Sequence, residues 1–131
     1  MKKFCVVLLL SAALCVGARA AVPREYLAKA IAVGTSGEPF VVKVAYGEML
    51  MRRIDSELFP DTLPALVYAM EQSDAVRRAL PGDADWCAAD IAIQNLEFGG
   101  GALYCAKWKD VENTPLSMRS GVRFYDWFFY S

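Results

Sequence analysis

An apolar run of about 13 residues, Phe4–Val16, decides how much of this chain is available for a folded domain. Lys2-Lys3 precedes the run, and the small-residue stretch Ala18-Arg19-Ala20 follows it. This layout is typical of a cleaved secretory signal, and the run is shorter than the roughly 20 residues that span a bilayer. We therefore predict that residues 1–20 are removed and that residues 21–131 form one exported domain.

The end of the apolar run also offers a lipoprotein alternative, because a cysteine, Cys15, lies there. The residue before it is Leu14, where the bacterial lipoprotein signal that this segment resembles has a small residue. We therefore expect Cys5 and Cys15 to leave with the signal. The predicted location is a periplasm or the extracellular space, with no stable membrane anchor after cleavage.

The charge balance of the predicted mature chain argues against a nucleic-acid partner. Once the signal is removed, 11 basic residues stand against 15 acidic ones, which gives a net charge of −4. The basic residues are scattered in pairs, whereas a phosphate-binding surface carries a basic stripe. The remaining 111 residues suit a single core, since a domain of this size buries roughly two-thirds of its unfolded surface.

Two cysteines remain in the predicted mature chain, Cys87 and Cys105. An even pair in an oxidising compartment predicts a disulfide, which would stabilise the fold by roughly 3 kcal/mol. The spacing is far from Cys-x-x-Cys, and the chain has no histidine to complete a zinc site. The sequence therefore predicts one disulfide, no metal and no cofactor.

The first half of the mature chain has the apolar periodicity and end signals of helices. Thr62 is placed to cap one of them, and the chain between Thr35 and Pro39 has the composition of a loop. The start of the second segment, Phe40–Val44, is also strand-like because it is β-branched. The predicted helices are 23–33, most of 40–59, 63–72 and 73–80.

The segment 85–98 fits either a helix or a strand by periodicity. On a helix its polar residues form one narrow wedge, Asp85 would cap the start, and the glycines 99–101 would end it. A helix climbs about 16 Å and a returning strand descends about 16 Å, which brings Cys87 and Cys105 level. We favour the helix for this reason, and a strand that begins near Ile91 is the alternative.

The last third of the chain predicts strands. Ala102–Lys109 alternates, Asp110–Gly121 reads as a loop, and Val122–Tyr130 is rich in the aromatic residues that sheets favour. Helices first and strands last predict an α+β fold, in which N-terminal helices pack on one face of a small antiparallel sheet.

Most catalytic chemistry is excluded by composition. The absence of histidine rules out Ser-His and Cys-His nucleophile pairs, and no phosphate-binding or dinucleotide glycine motif occurs. Paired carboxylates remain available, because glycan hydrolysis needs only two acids at a set separation. Glu48 with Asp55 or Glu57 is the candidate pair for that alternative.

Aromatic residues concentrate at the C-terminus, and alternation along one strand would make both of its faces apolar. Either the strand is buried on both sides, or one face is a contact surface with charged residues at its rim. The candidate binding surface comprises Tyr104, Trp108, Tyr125, Trp127 and Phe129, with Lys107 and Lys109 at the rim.

The main hypothesis from sequence is a small exported, non-catalytic protein with no catalytic residue. It would bind a protein partner, or itself, through the aromatic surface, as an inhibitor, a protective partner or an envelope accessory subunit. The alternative is a small carboxylate-dependent hydrolase that acts on glycan or cell-wall material. No motif in the chain is specific enough to indicate a family.

Overall fold

The computed structural model describes residues 22–94 and 100–131, and the predicted leader lies outside these ranges. Helices come first and a small antiparallel sheet comes last, which confirms the α+β class. No helix among the described residues is long and apolar enough to span a membrane. The elements are α1 (Arg24–Gly34), α2 (Phe40–Asp55), α3 (Leu63–Ala69), α4 (Ser73–Arg78), α5 (Asp83–Ile93), β1 (Tyr104–Lys107), α6 (Trp108–Val111), a 3-10 turn (Pro115–Met118), β2 (Gly121–Phe124) and β3 (Trp127–Tyr130).

The two long helices form where the apolar spacing predicted them. In α1, Leu27 and Ile31 lie one turn apart on the same face and are fully buried. In α2, the strand-like start is helical, and Val42 and Tyr46 are buried at the same one-turn spacing. The predicted helix extended to residue 59, but α2 ends at Asp55 and the side chain of Leu58 is 73% exposed.

The helix starts agree with the sequence prediction at one position and differ at another. The hydroxyl oxygen of Thr62 accepts a hydrogen bond from the Ala65 N–H at 3.3 Å, which confirms the predicted cap of α3. The predicted cap at Asp85 is wrong, because α5 begins two residues earlier, at Asp83. Asp85 instead lies in the first turn, where its carboxylate accepts from the Gly82 N–H at 2.9 Å.

Helix α5 confirms the helical prediction for the described part of 85–98, while residues 95–99 lie outside the described ranges. Apart from Asp85, its buried residues are alanines, among them Ala88 and Ala92, so α1 and α2 approach it closely. At Gly47 in α2, an added Cβ would lie 2.8 Å from Ile31 Cδ1 and 3.0 Å from Ala92 Cβ. These three helices therefore share a tightly packed centre.

A second close contact, between Gly34 and Tyr46, lies at the C-terminal end of α1. Gly34 is the last residue of that helix, and the buried ring of Tyr46 lies directly against it. An added Cβ at position 34 would lie 2.3 Å from Tyr46 Cζ, well inside van der Waals contact. Burial also raises the pKa of the Tyr46 hydroxyl to about 12. The ring therefore occupies the space that a side chain at position 34 would need.

The sheet has the order β1–β3–β2, with both pairs antiparallel. In the register, Tyr104 lies opposite Tyr130 and Val122 lies opposite Phe129. Phe129 is fully buried and joins the helical core. The predicted strand at Ala102–Lys109 ends early, because Trp108 begins the short helix α6.

The prediction of one continuous strand over Val122–Tyr130 is wrong. The segment folds back as a hairpin, and Phe124 and Trp127 pair across a two-residue turn. The first turn residue, Tyr125, has a φ of +53°, a value typical of glycine. Alternation across this segment therefore fails at Tyr125 and Asp126, where the chain reverses.

The structure does not support the predicted disulfide, because Cys87 and Cys105 are free thiols in it. Cys87 lies on the exposed side of α5, while the next residue, Ala88, turns into the core. Cys105 lies on β1 and packs against the core, where burial raises the pKa of its thiol to about 11. Equal lengths of helix and strand do not determine the directions in which side chains point, and here the Cys87 side chain faces solvent while Cys105 packs against the core.

Candidate functional site

Charged side chains converge where the loop between α1 and α2 meets the edge of the sheet. The Lys107 ammonium, at the end of β1, donates to Glu38 Oε1 at 2.5 Å. The two side chains are 31% and 21% exposed, so the ion pair is partly buried yet open to solvent. This pair is the centre of the candidate site.

The loop holds Glu38 in a defined position. Gly37 has a φ of +73°, and the Glu38 N–H donates to the Thr35 carbonyl oxygen at 3.1 Å. Pro39 follows directly, with a φ of −59°, and precedes the first turn of α2. The backbone on both sides of Glu38 is therefore constrained, and its carboxylate is directed toward the sheet.

An aromatic side chain completes the environment of this ion pair. The register of β1 and β3 places Lys107 opposite Trp127, and the Lys107 Nζ lies 4.5 Å from the Trp127 ring centroid. The Trp127 Nε1 is buried, and no acceptor among the described residues meets the distance and angle of a hydrogen bond to it. Its N–H lies close enough to Glu38 to favour the charged carboxylate.

These neighbours keep Glu38 ionised. The hydrogen bond from Lys107 is the largest influence that lowers the pKa of Glu38 below its ordinary value of 4.5. Partial burial opposes this effect, and the Trp127 N–H and the charges of Lys107 and Lys43 add to it. Glu38 is therefore a carboxylate at neutral pH and well into the acidic range.

A buried ion pair lies behind the loop. The ammonium of Lys43, on α2, donates to Asp85 Oδ1 at 2.7 Å and to the Thr35 carbonyl oxygen at 2.8 Å. Both charged residues are only 8% exposed, so each one compensates the desolvation of the other. The pair connects α5 and Thr35, at the start of the loop, to α2. It thereby fixes the position at which the loop that carries Glu38 begins.

An open depression of about 370 Å³ lies on the other side of Lys107. The hairpin turn forms one wall and α6 forms another, and the Trp108 N–H donates to the Asp126 carbonyl oxygen at 2.5 Å between them. The side chains that line the depression are Lys107, Trp108, Lys109, Glu112, Arg123 and Asp126.

The structure places the members of the predicted aromatic surface in several different environments. Phe129 is enclosed in the core, and Tyr104 stacks on Tyr130 with ring centroids 5.5 Å apart. Trp127 lies at the Glu38 ion pair. Tyr125 is 67% exposed at the tip of the hairpin.

The remaining members of that surface lie at the depression, where Trp108 and both rim lysines, Lys107 and Lys109, are part of the lining. The structure therefore brings Trp127, Trp108, Lys107 and Lys109 into one region. That these residues bind a ligand stays a prediction.

The predicted carboxylate pair occupies two different environments. Glu48 is 7% exposed in α2 and lines a narrow cavity beside Met49 and Arg52. Asp55 is exposed at the end of the same helix, and Glu57 is exposed in the turn after it. The structure therefore does not present Glu48 and either partner together on one solvent-facing surface.

Glu38 is the residue that sequence reasoning missed. Its signal was an acidic residue in a short Gly-Glu-Pro loop between two buried helices, which is a place where a rigid scaffold can hold a reactive group. Its partner, Lys107, is 69 residues away in sequence. Among residues 22–94 and 100–131, no group of three histidine, cysteine, aspartate or glutamate side chains is placed to hold a metal ion.

Two solved structures have this fold. The chain is similar to the catalytic domain of the germination-specific lytic transglycosylase SleB from Bacillus anthracis, with 19% identity and a TM-score of 0.69. That match covers 85% of this chain and 95% of the other. The catalytic domain of the Bacillus cereus SleB protein matches with 22% identity and a TM-score of 0.63, over 82% and 88% of the two chains.

No family model and no curated protein matches the chain. The structural matches nevertheless correct the main hypothesis from sequence. Both neighbours are catalytic domains, and one of them is a lytic transglycosylase, which contradicts the prediction of a non-catalytic, protein-binding role. The comparison favours the glycan-acting alternative.

Proposed function

We propose that this chain is an exported enzyme that cleaves glycosidic bonds in bacterial cell-wall glycan, with Glu38 as its catalytic carboxylate. The observation that carries this proposal is the ion pair of Glu38 with Lys107. It lies where the helices meet the sheet and is partly exposed to solvent. The fold likeness to a lytic transglycosylase supports the reaction class. The predicted leader, residues 1–20, supports export to the compartment in which such a glycan lies.

The chemistry of the site suits part of a glycosyl transfer. Cleavage breaks the bond from the anomeric carbon to the leaving oxygen, positive charge develops on the sugar ring, and the oxygen of an attacking hydroxyl group forms the new bond to that carbon. An ionised Glu38 stabilises that charge and accepts the proton of the attacking hydroxyl group. The leaving oxygen takes up the electron pair and needs a proton, and the Lys107 ammonium is the donor in contact with Glu38.

Accessibility favours Glu38 over Glu48 as the reactive carboxylate. The Glu38 side chain is 21% exposed, whereas the whole of Glu48 is 7% exposed in the middle of α2. A sugar must come within hydrogen-bond distance of the reactive group. Glu38 meets that condition from the loop without displacement of a helix.

The test is the release of soluble glycan fragments from purified bacterial peptidoglycan by the mature chain. Glu38→Gln keeps the size of the side chain but removes its charge, and we expect at least a 100-fold lower rate. Glu57→Gln, in an exposed turn, is the matched control and should keep the wild-type rate.

Glu48→Gln in the same assay distinguishes the two glutamates. Loss of activity in Glu48→Gln with full activity in Glu38→Gln would transfer the catalytic role to Glu48. A wild-type chain that releases no fragment from peptidoglycan would overturn the proposed function.

A further inference from the structure

We propose that the depression beside Lys107 is a binding subsite for an uncharged pyranose unit of a glycan strand, and that Tyr125 at the hairpin tip is one of its contact residues. The inference rests on the proposed function for the source of the ligand. It assigns a second part of the surface, distinct from the reactive carboxylate, to holding the strand.

The depression and the Glu38 site are continuous through one residue. Lys107 lines the depression, and its ammonium contacts Glu38. A polymer with one ring in the depression therefore passes next to the carboxylate with a neighbouring ring. A volume of about 370 Å³ is sufficient for a single sugar ring and its substituents.

The lining has the mixture of groups that a polyhydroxylated ring requires. Three cationic side chains and two carboxylates surround the depression, so hydrogen-bond donors and acceptors are both present. Lys107 is already paired with Glu38, which leaves two positive and two negative groups in balance. This balance favours a neutral ligand rich in hydroxyl groups over an anionic or cationic one.

The walls of the depression are held in place before any ligand arrives. The Arg123 guanidinium lies 4.8 Å from the Trp108 ring centroid, and its Nε donates to the Tyr125 carbonyl oxygen at 2.9 Å. The Trp108 ring also makes an edge contact with Phe128, with centroids 5.4 Å apart. A preorganised site of this kind loses little side-chain freedom on binding.

Tyr125 supplies the observation that points to a ligand at the hairpin tip. It has a left-handed φ of +53° at a turn position that glycine fits best. Its side chain is 67% exposed, so core packing does not offset this strain. Tyr125 is not itself part of the lining, but Asp126, its neighbour in sequence, and Arg123 are. Strain of this kind at an exposed aromatic residue indicates a contact function.

The test uses a soluble, uncharged probe, the tetramer of N-acetylglucosamine, titrated by calorimetry. Tyr125→Gly relieves the backbone strain and removes the ring, so we expect an unchanged or higher melting temperature with at least five-fold weaker binding. Tyr68→Ala removes a tyrosine that is 77% exposed on α3 and serves as the matched control with unchanged affinity. With peptidoglycan as the substrate, Tyr125→Gly should raise KM and leave kcat close to the wild-type value.

Three results would overturn the subsite. If Tyr125→Gly binds the tetramer with wild-type affinity, the Tyr125 ring does not contact the ligand. If Tyr125→Gly has a lower melting temperature than the wild type, the role of Tyr125 is structural. Failure of the wild-type chain to bind the tetramer would remove the ligand class.

Calorimetric titration of the tetramer measures binding without cleavage, so it separates this inference from the proposed function. If Glu38→Gln still cleaves peptidoglycan, the catalytic proposal fails while the subsite stands.

Discussion

The Lys107 ammonium lies 2.5 Å from the Glu38 carboxylate and joins the last residue of β1 to the loop between α1 and α2. The contact connects the helical part of the chain to the sheet at one charged point. Its partners are separated by 69 residues, so the site exists only when both parts of the fold are assembled.

This ion pair should make stability depend on pH in the acidic range. The folded-state pKa of Glu38 is lowered, so its contribution is present above the ordinary pKa of 4.5 and is lost as the pH falls through the lower folded value. We expect wild type to exceed Glu38→Gln by less than about 1 kcal/mol at pH 7 and to equal it at strongly acidic pH. Urea unfolding across this range measures the difference. A gap that grows toward acid would contradict the assignment, and Glu57→Gln should follow the wild type throughout.

Removing one partner of the buried Lys43–Asp85 pair should lower the free energy of unfolding strongly. Replacing both partners by apolar residues should lower it much less. Lys43→Met leaves the Asp85 carboxylate buried without its cation, and we expect a loss of about 3 to 5 kcal/mol. The double variant Lys43→Met with Asp85→Leu removes both charges and should recover most of that loss. Chemical denaturation of the single and double variants forms the cycle. Additive losses would show that the two charges are independent.

The two thiols should react at very different rates with a thiol reagent in the native protein. Cys87 is exposed and should be modified quickly, whereas the half-buried thiol of Cys105, with a pKa of about 11, should react much more slowly until the protein unfolds. Cys87→Ser should abolish the fast phase, and a reducing agent should leave the melting temperature unchanged. If neither thiol of the native protein reacts, the result would support the disulfide that the sequence predicts.

The close contact at Gly47 should resist even one methyl group. Gly47→Ala places Cβ 2.8 Å from Ile31 Cδ1, and we expect a net cost of about 1 to 2 kcal/mol after the gain in helix propensity. Ile31→Val removes the contacting methyl group, so it should cost less in the Gly47→Ala background than in wild type. Thermal unfolding of the four variants measures this coupling. Equal costs of Ile31→Val in both backgrounds would contradict the packing described.

The helices were predictable because their signals are local. The one-turn spacing of Val42 and Tyr46 and the hydroxyl cap at Thr62 depend on residues within a few positions of each other. The segment 40–44 was ambiguous only because β-branched residues suit strands as well, and burial against α1 and α5 decides in favour of the helix.

The hairpin could not be read from the sequence, because its turn lacks the usual chemistry. Two-residue hairpin turns are recognised by glycine or asparagine at positions with positive φ, and this chain has Tyr125 followed by Asp126. Without a turn signal, the nine residues Val122–Tyr130 resemble one aromatic strand. The same missing glycine is what identifies Tyr125 as a candidate contact residue once the structure is known.

The candidate site was missed because its parts have no common sequence pattern. Glu38 was assigned to a loop and Lys107 to the rim of a contact surface, and only the packing of β1 against the α1–α2 loop brings them together. The chosen alternative, Glu48, was selected by helical spacing, which predicts a shared face but not whether that face is buried.

The contact between Gly34 and Tyr46 limits the combined size of the side chains at these two positions in any protein that shares this arrangement. With 2.3 Å between the Tyr46 ring and the place of a Cβ at position 34, the two positions cannot both carry large side chains. A relative that has a functional group at the end of the first helix must therefore have a smaller residue in place of the tyrosine. In this chain the Tyr46 ring occupies that space, and Glu38 lies four residues after Gly34, in the loop that follows.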